Sequence, residues 1–78
     1  MRTTTVVGTV TRMTEGDLAL VVEQGNRQHI YTLIPHERAE EALRQAGGDT
    51  ARAVVIGKVD STGARGLMQV QSAWLLQA

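Results

Sequence analysis

The sequence predicts a small all-β domain with one helix, in which five strands close into a barrel. Five segments are rich in β-branched residues or alternate apolar with polar positions, and turn signals containing glycine separate them. One further segment, between the third and the fourth of these, has the spacing of an amphipathic helix. Two of the strands have a glycine near the middle, which is typical of a strand that bends sharply.

The strands are predicted from β-propensity and from the alternation of apolar with polar residues. Val and Thr dominate the first strand, and Leu18 and Leu20 belong to the alternating pattern of the second. Turns are predicted at 15–17 and 24–27, and a loop of about five residues precedes the last strand. The predicted strands span 3–14, 18–23, 28–34, 51–60 and 67–76. The fifth strand departs from clean alternation, which predicts a bulge or a frayed end near 72–73.

Both faces of the third strand contain apolar residues. One face carries Ile30, Thr32 and Ile34, and the other carries His29, Tyr31 and Leu33. We expect the first of these faces to point into the core, because Ile34 would then lead the chain directly into a helix lying over that core.

The helix is predicted over 35–48, where alanine and leucine recur at the i, i+3, i+4, i+7 spacing of one helical face. This face consists of Ala39, Ala42, Leu43 and Ala46. Pro35 suits the first helical position because its missing N–H would have no partner there, and Gly47 with Gly48 permits a left-handed stop. The small face predicts a helix that covers one end of a barrel.

Three strands, a helix and two more strands form the element order of the OB-fold, a five-stranded Greek-key barrel. The pattern V-x-G-x-V occurs around Gly8 in the first strand and around Gly57 in the fourth. Such glycines mark a bend, a bulge or a close approach of two backbones, which a small barrel requires. We therefore predict a single OB-fold domain over residues 1–78, with the order β1-β2-β3-α-β4-β5.

Composition narrows the class of protein further. Seventy-eight residues make one domain, and a chain this short buries only about 60% of the surface it exposes when unfolded. Cysteine is absent, which excludes a disulfide framework, and eight basic residues balance eight acidic ones, which argues against avid nonspecific nucleic-acid binding. The sequence has neither a signal-peptide pattern nor an apolar run of about 20 residues. We expect a cytoplasmic protein without a membrane partner.

The chain resembles small bacterial OB-fold modules that are themselves similar to tRNA-anticodon-binding domains. The resemblance rests on VVGTV at 6–10, HIYTLIP at 29–35 followed by the helix, VVIGKVD at 54–60 and the closing LMQVQSAWLL. It extends over the whole chain. It implies a module that binds nucleic acid and has no catalytic role.

OB-folds bind single strands across their second and third strands and the flanking loops. The residues that we expect to contact nucleic acid are Arg12, Arg27, Tyr31, Lys58 and Arg65. A base stacked on Tyr31 would contribute about 1 to 3 kcal/mol, and the cations would contact phosphates. The alternative is that Tyr31 packs at the rim of the barrel and that the cations are solvated surface residues.

No residue pattern indicates catalysis or a cofactor. Ser61 and Ser72 have no motif that places a histidine beside them, and the glycine-rich stretches lack the spacing of a phosphate-binding loop. His29 and His36, with Glu37, do not complete the three or four ligands that zinc requires. We expect no enzyme activity, no cofactor and no metal ion.

Trp74 is the only tryptophan and lies in an apolar run near the end of the sequence. An indole in such a run more often closes a core than contacts a ligand. If it is exposed, Trp74, Leu75 and Leu76 form an apolar patch for a protein partner or a second copy of the chain. The sequence therefore predicts weak binding of single-stranded nucleic acid, and the alternative is protein interaction as an adaptor or subunit of a larger assembly.

Overall fold

The computed structural model describes residues 3–34, 37–60 and 66–77. The elements are β1 (Thr3–Arg12), β2 (Leu18–Gln24), β3 (Arg27–Ile34), α1 (Glu37–Ala46), β4 (Thr50–Asp60) and β5 (Gly66–Gln77). All five predicted strands and the helix are present in the predicted order, with ends that differ by one or two residues. The loop is predicted over 61–66, and its last residue, Gly66, instead begins β5. Pro35, predicted as the first helical residue, and residues 61–65 of that loop lie outside the described residues.

The five strands form a closed barrel in the order β1-β2-β3-β5-β4, and β4 returns to pair with β1. All neighbouring strands are antiparallel except β3 and β5, which are parallel over four residue pairs. This is the five-stranded Greek-key arrangement of the OB-fold, so the predicted fold class is confirmed. β1 pairs with β2 on one side and with β4 on the other.

The core lies inside the barrel and is closed at one end by α1. Its largest fully buried side chains are Val10, Leu18, Leu20, Leu33, Leu43, Val55 and Met68. The predicted apolar face of α1 is confirmed, because Ala39, Ala42 and Leu43 are buried and Ala46 packs against the same core. Three of these four side chains are alanine, which lets the helix axis approach the barrel closely.

The C-terminus of α1 ends in a Schellman motif, as the two glycines predict. The N–H of Gly47 donates to the carbonyl of Arg44 at 3.2 Å, and the N–H of Gly48 donates to the carbonyl of Leu43 at 3.4 Å. Gly47 has a φ of 77°, in the left-handed region that favours glycine. On the exposed side of the helix, a hydrogen bond from Arg44 lowers the pKa of Glu41. Within the described ranges, no helix is long and apolar enough to cross a membrane.

Gly8 and Gly57 lie where neighbouring backbones come closest. A Cβ atom on Gly8 would lie 2.6 Å from the carbonyl oxygen of Val21 on β2. A Cβ atom on Gly57 would overlap the backbone carbonyl of Gln69 on β5. The prediction that these glycines mark close backbone contacts is confirmed.

Two extra residues interrupt the pairing of β5 with β4. Between its partners for Ile56 and Gly57, β5 contains the unmatched residue Gln71. Leu76 is a second unmatched residue, near the end of the strand. The loss of alternation that predicted a bulge near 72–73 is therefore explained by Gln71, one residue earlier.

The predicted inward face of β3 is wrong. Leu33 is 2% exposed and Tyr31 packs against the core, whereas Ile34 is 50% exposed. The cause is the register with β2, in which Tyr31 lies opposite the fully buried Leu20, because residues that lie opposite each other share one face of a sheet. The three residues expected inside are therefore on the outer face: Ile30, Thr32 and Ile34.

The close contact at Gly57 predicts that alanine is poorly tolerated there. Gly57→Ala would drive a methyl group into the backbone of β5, and we expect it to lower the free energy of unfolding by about 1 to 3 kcal/mol in chemical denaturation. Gly48→Ala is the matched control, since nothing lies within 4 Å of the added atom and its φ is not positive. Equal denaturation midpoints for the two variants would contradict this account of barrel closure.

The burial of one face of α1 leads to a second prediction about stability, which compares a buried and an exposed residue of this helix. Leu43→Ala removes a fully buried side chain, and we expect a loss of about 2 to 5 kcal/mol in the free energy of unfolding. Arg38→Ala, at an exposed position on the same helix, should change it by no more than about 0.5 kcal/mol. If both variants unfold at the same denaturant concentration, α1 does not contribute to the core as described.

Candidate binding surface

The face on which OB-folds bind single strands contains a cleft of about 240 Å³. It lies where the loop between β1 and β2 meets the outer surface of β2 and β3. Glu15 and Asp17 line this cleft together with Met13, Ala19 and Thr32. Since the charged residues among the described lining are both carboxylates, the field in the cleft disfavours a phosphate group.

Arg12, predicted to contact phosphate, is engaged with carboxylates of the protein itself. Its guanidinium lies 3.3 Å from Glu40 of α1 and 3.4 Å from Asp49, which precedes β4. Its backbone N–H also donates to the carbonyl of Asp49 at 2.9 Å. These contacts connect the end of β1 to the helix and to the start of β4, so a phosphate must compete with two carboxylates for this side chain.

Tyr31, predicted as a stacking platform, points toward the inside of the barrel. Its ring packs against the core and lies over Gly66 at the start of β5, where an added Cβ would be 2.5 Å from the ring. Tyr31 is therefore a partly buried residue that contacts the core.

The other predicted nucleic-acid contacts are far apart in the strand order. Arg27 is exposed at the turn between β2 and β3, whereas Lys58 lies on β4, which pairs with neither of those strands. Arg65 lies outside the described residues. The structure therefore does not bring Arg12, Arg27, Tyr31 and Lys58 together on one surface.

A row of apolar side chains crosses the outer surface of β1, β4 and β5. Val7 of β1 lies opposite Val54 of β4, and Val54 lies opposite Trp74 of β5, so all three share the outer face. Val7 is 44% and Trp74 is 48% exposed, but Val54 is only 9% exposed, because its neighbours cover it. Ile56, next along this face of β4, is partly buried. We call Val7, Val54, Ile56 and Trp74 the outer apolar patch.

Two cations flank the outer apolar patch along β4. Arg52 and Lys58 occupy the alternate positions on either side of Val54 and Ile56, so both point outward. Two carboxylates of the described residues lie near these cations. Asp60 is one alternate position beyond Lys58, and Glu23 of β2 shares a cleft of about 150 Å³ with Arg52.

The alternative interface predicted from the sequence is divided between two faces of β5. Trp74 and Leu76 are about half exposed, at 48% and 53%, whereas Leu75 packs inward against the core. Trp74 was expected to close the core or the rim, and it points outward instead because Val54, its partner on β4, does so.

Sequence reasoning missed most of the outer apolar patch. The sequence predicts a strand that contains Val54 and Ile56, but it does not predict which face of that strand they occupy. A usable signal was present, because Arg52 and Lys58 lie at alternate positions with them in β4. A strand face that begins and ends with a cation is more typical of a solvated surface than of a core.

Metal-ligating side chains are scattered over the part of the chain that the structure describes, and no group of three or more is arranged there to hold a metal ion. No family model matches the chain, and no curated protein and no solved structure matches it. The barrel and its outer apolar patch are therefore the basis for inferring a function.

Proposed function

We propose that this chain is a non-catalytic OB-fold binding module that holds another protein through the outer apolar patch. The observation that carries this proposal is the half-exposed Trp74, which continues an apolar row across β4 and β1 on the outside of the barrel. Tryptophan is among the residues that most often dominate the energy of protein interfaces. An exposed apolar patch with a polar border is typical of an interaction site.

The surroundings of the outer apolar patch resemble the rim of a protein interface. Ile56 lies between Thr5 of β1 and Ser72 of β5, and Arg52 lies beside Thr9. Hydroxyl groups and cations therefore surround an apolar centre, which is the usual arrangement of a core and a rim. Such a surface can bury its apolar centre against a partner while its border stays hydrated.

Single-stranded nucleic acid is the second candidate ligand, and one observation favours it. Trp74 shares its surface with Arg52 and Lys58, which combines an aromatic platform with cations. This arrangement lies on β4 and β5, whereas the usual OB-fold site on β2 and β3 contains the acidic cleft. A platform of one aromatic side chain holds only one base, so we place the protein partner first.

The proposal assigns no catalytic step to the chain. Ser72 borders the patch beside Ile56, but the structure shows no hydrogen bond from a histidine to it among the described residues. We also propose a cytoplasmic location, since a chain without cysteine has no disulfide that requires an oxidising compartment.

The central role of Trp74 predicts its effect on partner binding. Linear peptides selected from a random display library against the wild-type chain should lose about 30-fold in affinity for Trp74→Ala, because a buried interface tryptophan contributes about 2 kcal/mol or more. Ile34→Ala is the control, since Ile34 is equally exposed, at 50%, on a different part of the surface. Peptides that bind the Trp74→Ala variant as tightly as the wild type would exclude this patch as the binding site.

The two candidate ligands differ in their response to salt. Trp74 is the only tryptophan, so its fluorescence reports directly on the patch. We expect a selected peptide to shift its emission to shorter wavelength, with an affinity that changes little between about 50 and about 200 mM salt. Short thymidine and uridine oligonucleotides should leave the emission unchanged. Quenching by these oligonucleotides that disappears steeply as salt rises would favour nucleic acid instead.

A further inference from the structure

Among the residues that the structure describes, one half of β1 has a neighbouring strand on only one side. β4 pairs with β1 from Thr3 to Thr11, but β2 pairs with it only from Thr9 to Arg12. Alternate residues of an antiparallel strand direct their N–H and C=O groups to opposite sides. The segment from Thr3 to Gly8 therefore presents unpaired backbone groups along the side that faces away from β4, and no turn or loop backbone bond of the described residues reaches it.

Gly8 determines where this open edge begins. The backbones of β1 and β2 come so close at Gly8 that an added Cβ would lie 2.6 Å from the carbonyl oxygen of Val21. From Gly8 toward the N-terminus β1 and β2 are no longer paired, while the ladder between β1 and β4 continues to Thr3. The open edge is thus a consequence of how the barrel closes.

The open edge lacks the features that normally protect an edge strand. Proteins block such edges with lysine, proline, an inward charge or a bulge. The segment Thr-Thr-Thr-Val-Val-Gly at 3–8 contains no charge and no proline, and its ladder with β4 has no register shift. Thr3, Thr5 and Val7 are exposed on its outer face. Threonine and valine also have high strand propensity, so the segment is well suited to accept another strand.

We propose that a second copy of this chain covers the edge, pairing antiparallel through its own β1 segment from Thr3 to Val7. An uncharged segment offers nothing that would select a partner of opposite charge, but it is complementary to itself, since threonines opposite each other can form hydrogen bonds. The chain has no net charge, so long-range repulsion between copies is weak. A two-fold axis is the commonest symmetry of such a pair.

Symmetry fixes the geometry of this dimer. The two-fold axis stands perpendicular to the sheet, so the outer faces of both copies come out on the same side. β5, β4 and β1 of one copy then continue into the same three strands of the other. Two outer apolar patches would lie on one surface, which lets a partner with two matching segments bind more tightly than either segment alone.

The same symmetry supplies a specific test, because one residue of β1 must lie opposite its own copy. The chain contains no cysteine, so single cysteine variants at 3, 4, 5, 6 and 7 can each be oxidised and analysed for covalent dimers. We expect one position to form the disulfide far more efficiently than its neighbours on the strand. Gln28→Cys, exposed on β3, is the control for random collision. No position exceeding this control would overturn the proposal.

Sedimentation equilibrium provides a measurement without oxidation. The wild type should dimerise reversibly, and Thr5→Lys should weaken the dimer about tenfold, because like charges would then lie near each other across the axis. Gln28→Lys adds the same charge away from the edge and should dimerise as the wild type does. A wild type that stays monomeric up to about 1 mM would overturn the proposal.

Discussion

Closing five strands around one small core requires neighbouring backbones to touch, and Gly8 and Gly57 make that contact possible. At each of these positions a side chain would collide with a carbonyl group of the adjacent strand. At Gly57 the contact lies beside the unmatched residue Gln71, so the close backbone contact and the bulge of β5 occur together. The distribution of paired and unpaired edges follows from these contacts, because β1 leaves β2 at Gly8 and continues along β4 alone.

The helix α1 closes one end of the barrel and, through its ion pair with Arg12, reduces the positive charge available to a ligand there. α1 buries Ala39 and Leu43 in one end of the barrel, and Arg12 links that end to Glu40 and Asp49. A partly exposed ion pair contributes only about 0 to 1 kcal/mol to stability, so these contacts are a minor part of what holds the helix. Their larger effect concerns ligands, since the guanidinium already has two anions within 3.4 Å. The end of the barrel covered by α1 is therefore poorly suited to phosphate.

Local signals were sufficient for the elements and their order, and tertiary pairing decided the rest. Turn glycines, the alanine face of α1 and the strand glycines each depend on neighbours within a few residues, so the sequence predicts them well. Local signals do not predict the inward face of β3, because both faces of this strand contain apolar residues. That face is determined by the pairing of Tyr31 with Leu20 of β2, and a contact between two strands is not visible in a local sequence pattern. The ion pairs of Arg12 are equally nonlocal, so the link from this side chain to α1 cannot be predicted from the residues around it. The outward orientation of Trp74 is nonlocal in the same way, since Trp74 lies opposite Val54 of β4 and shares its face.

The exposure of Trp74 can be weighed against a purely structural role. If the indole served only to cover Val54, a smaller side chain would do so and leave less apolar surface in water. A tryptophan presents about 150 to 250 Å², and 48% of this surface remains exposed, which is about 70 to 120 Å². At about 25 cal/mol per Å², burying that area against a partner would contribute about 2 to 3 kcal/mol. This is the magnitude of a dominant interface residue, and it is gained without any change in the barrel. Val7 adds to the same area from β1, the strand whose open edge begins beside it, so binding and self-association would draw on adjoining parts of one surface.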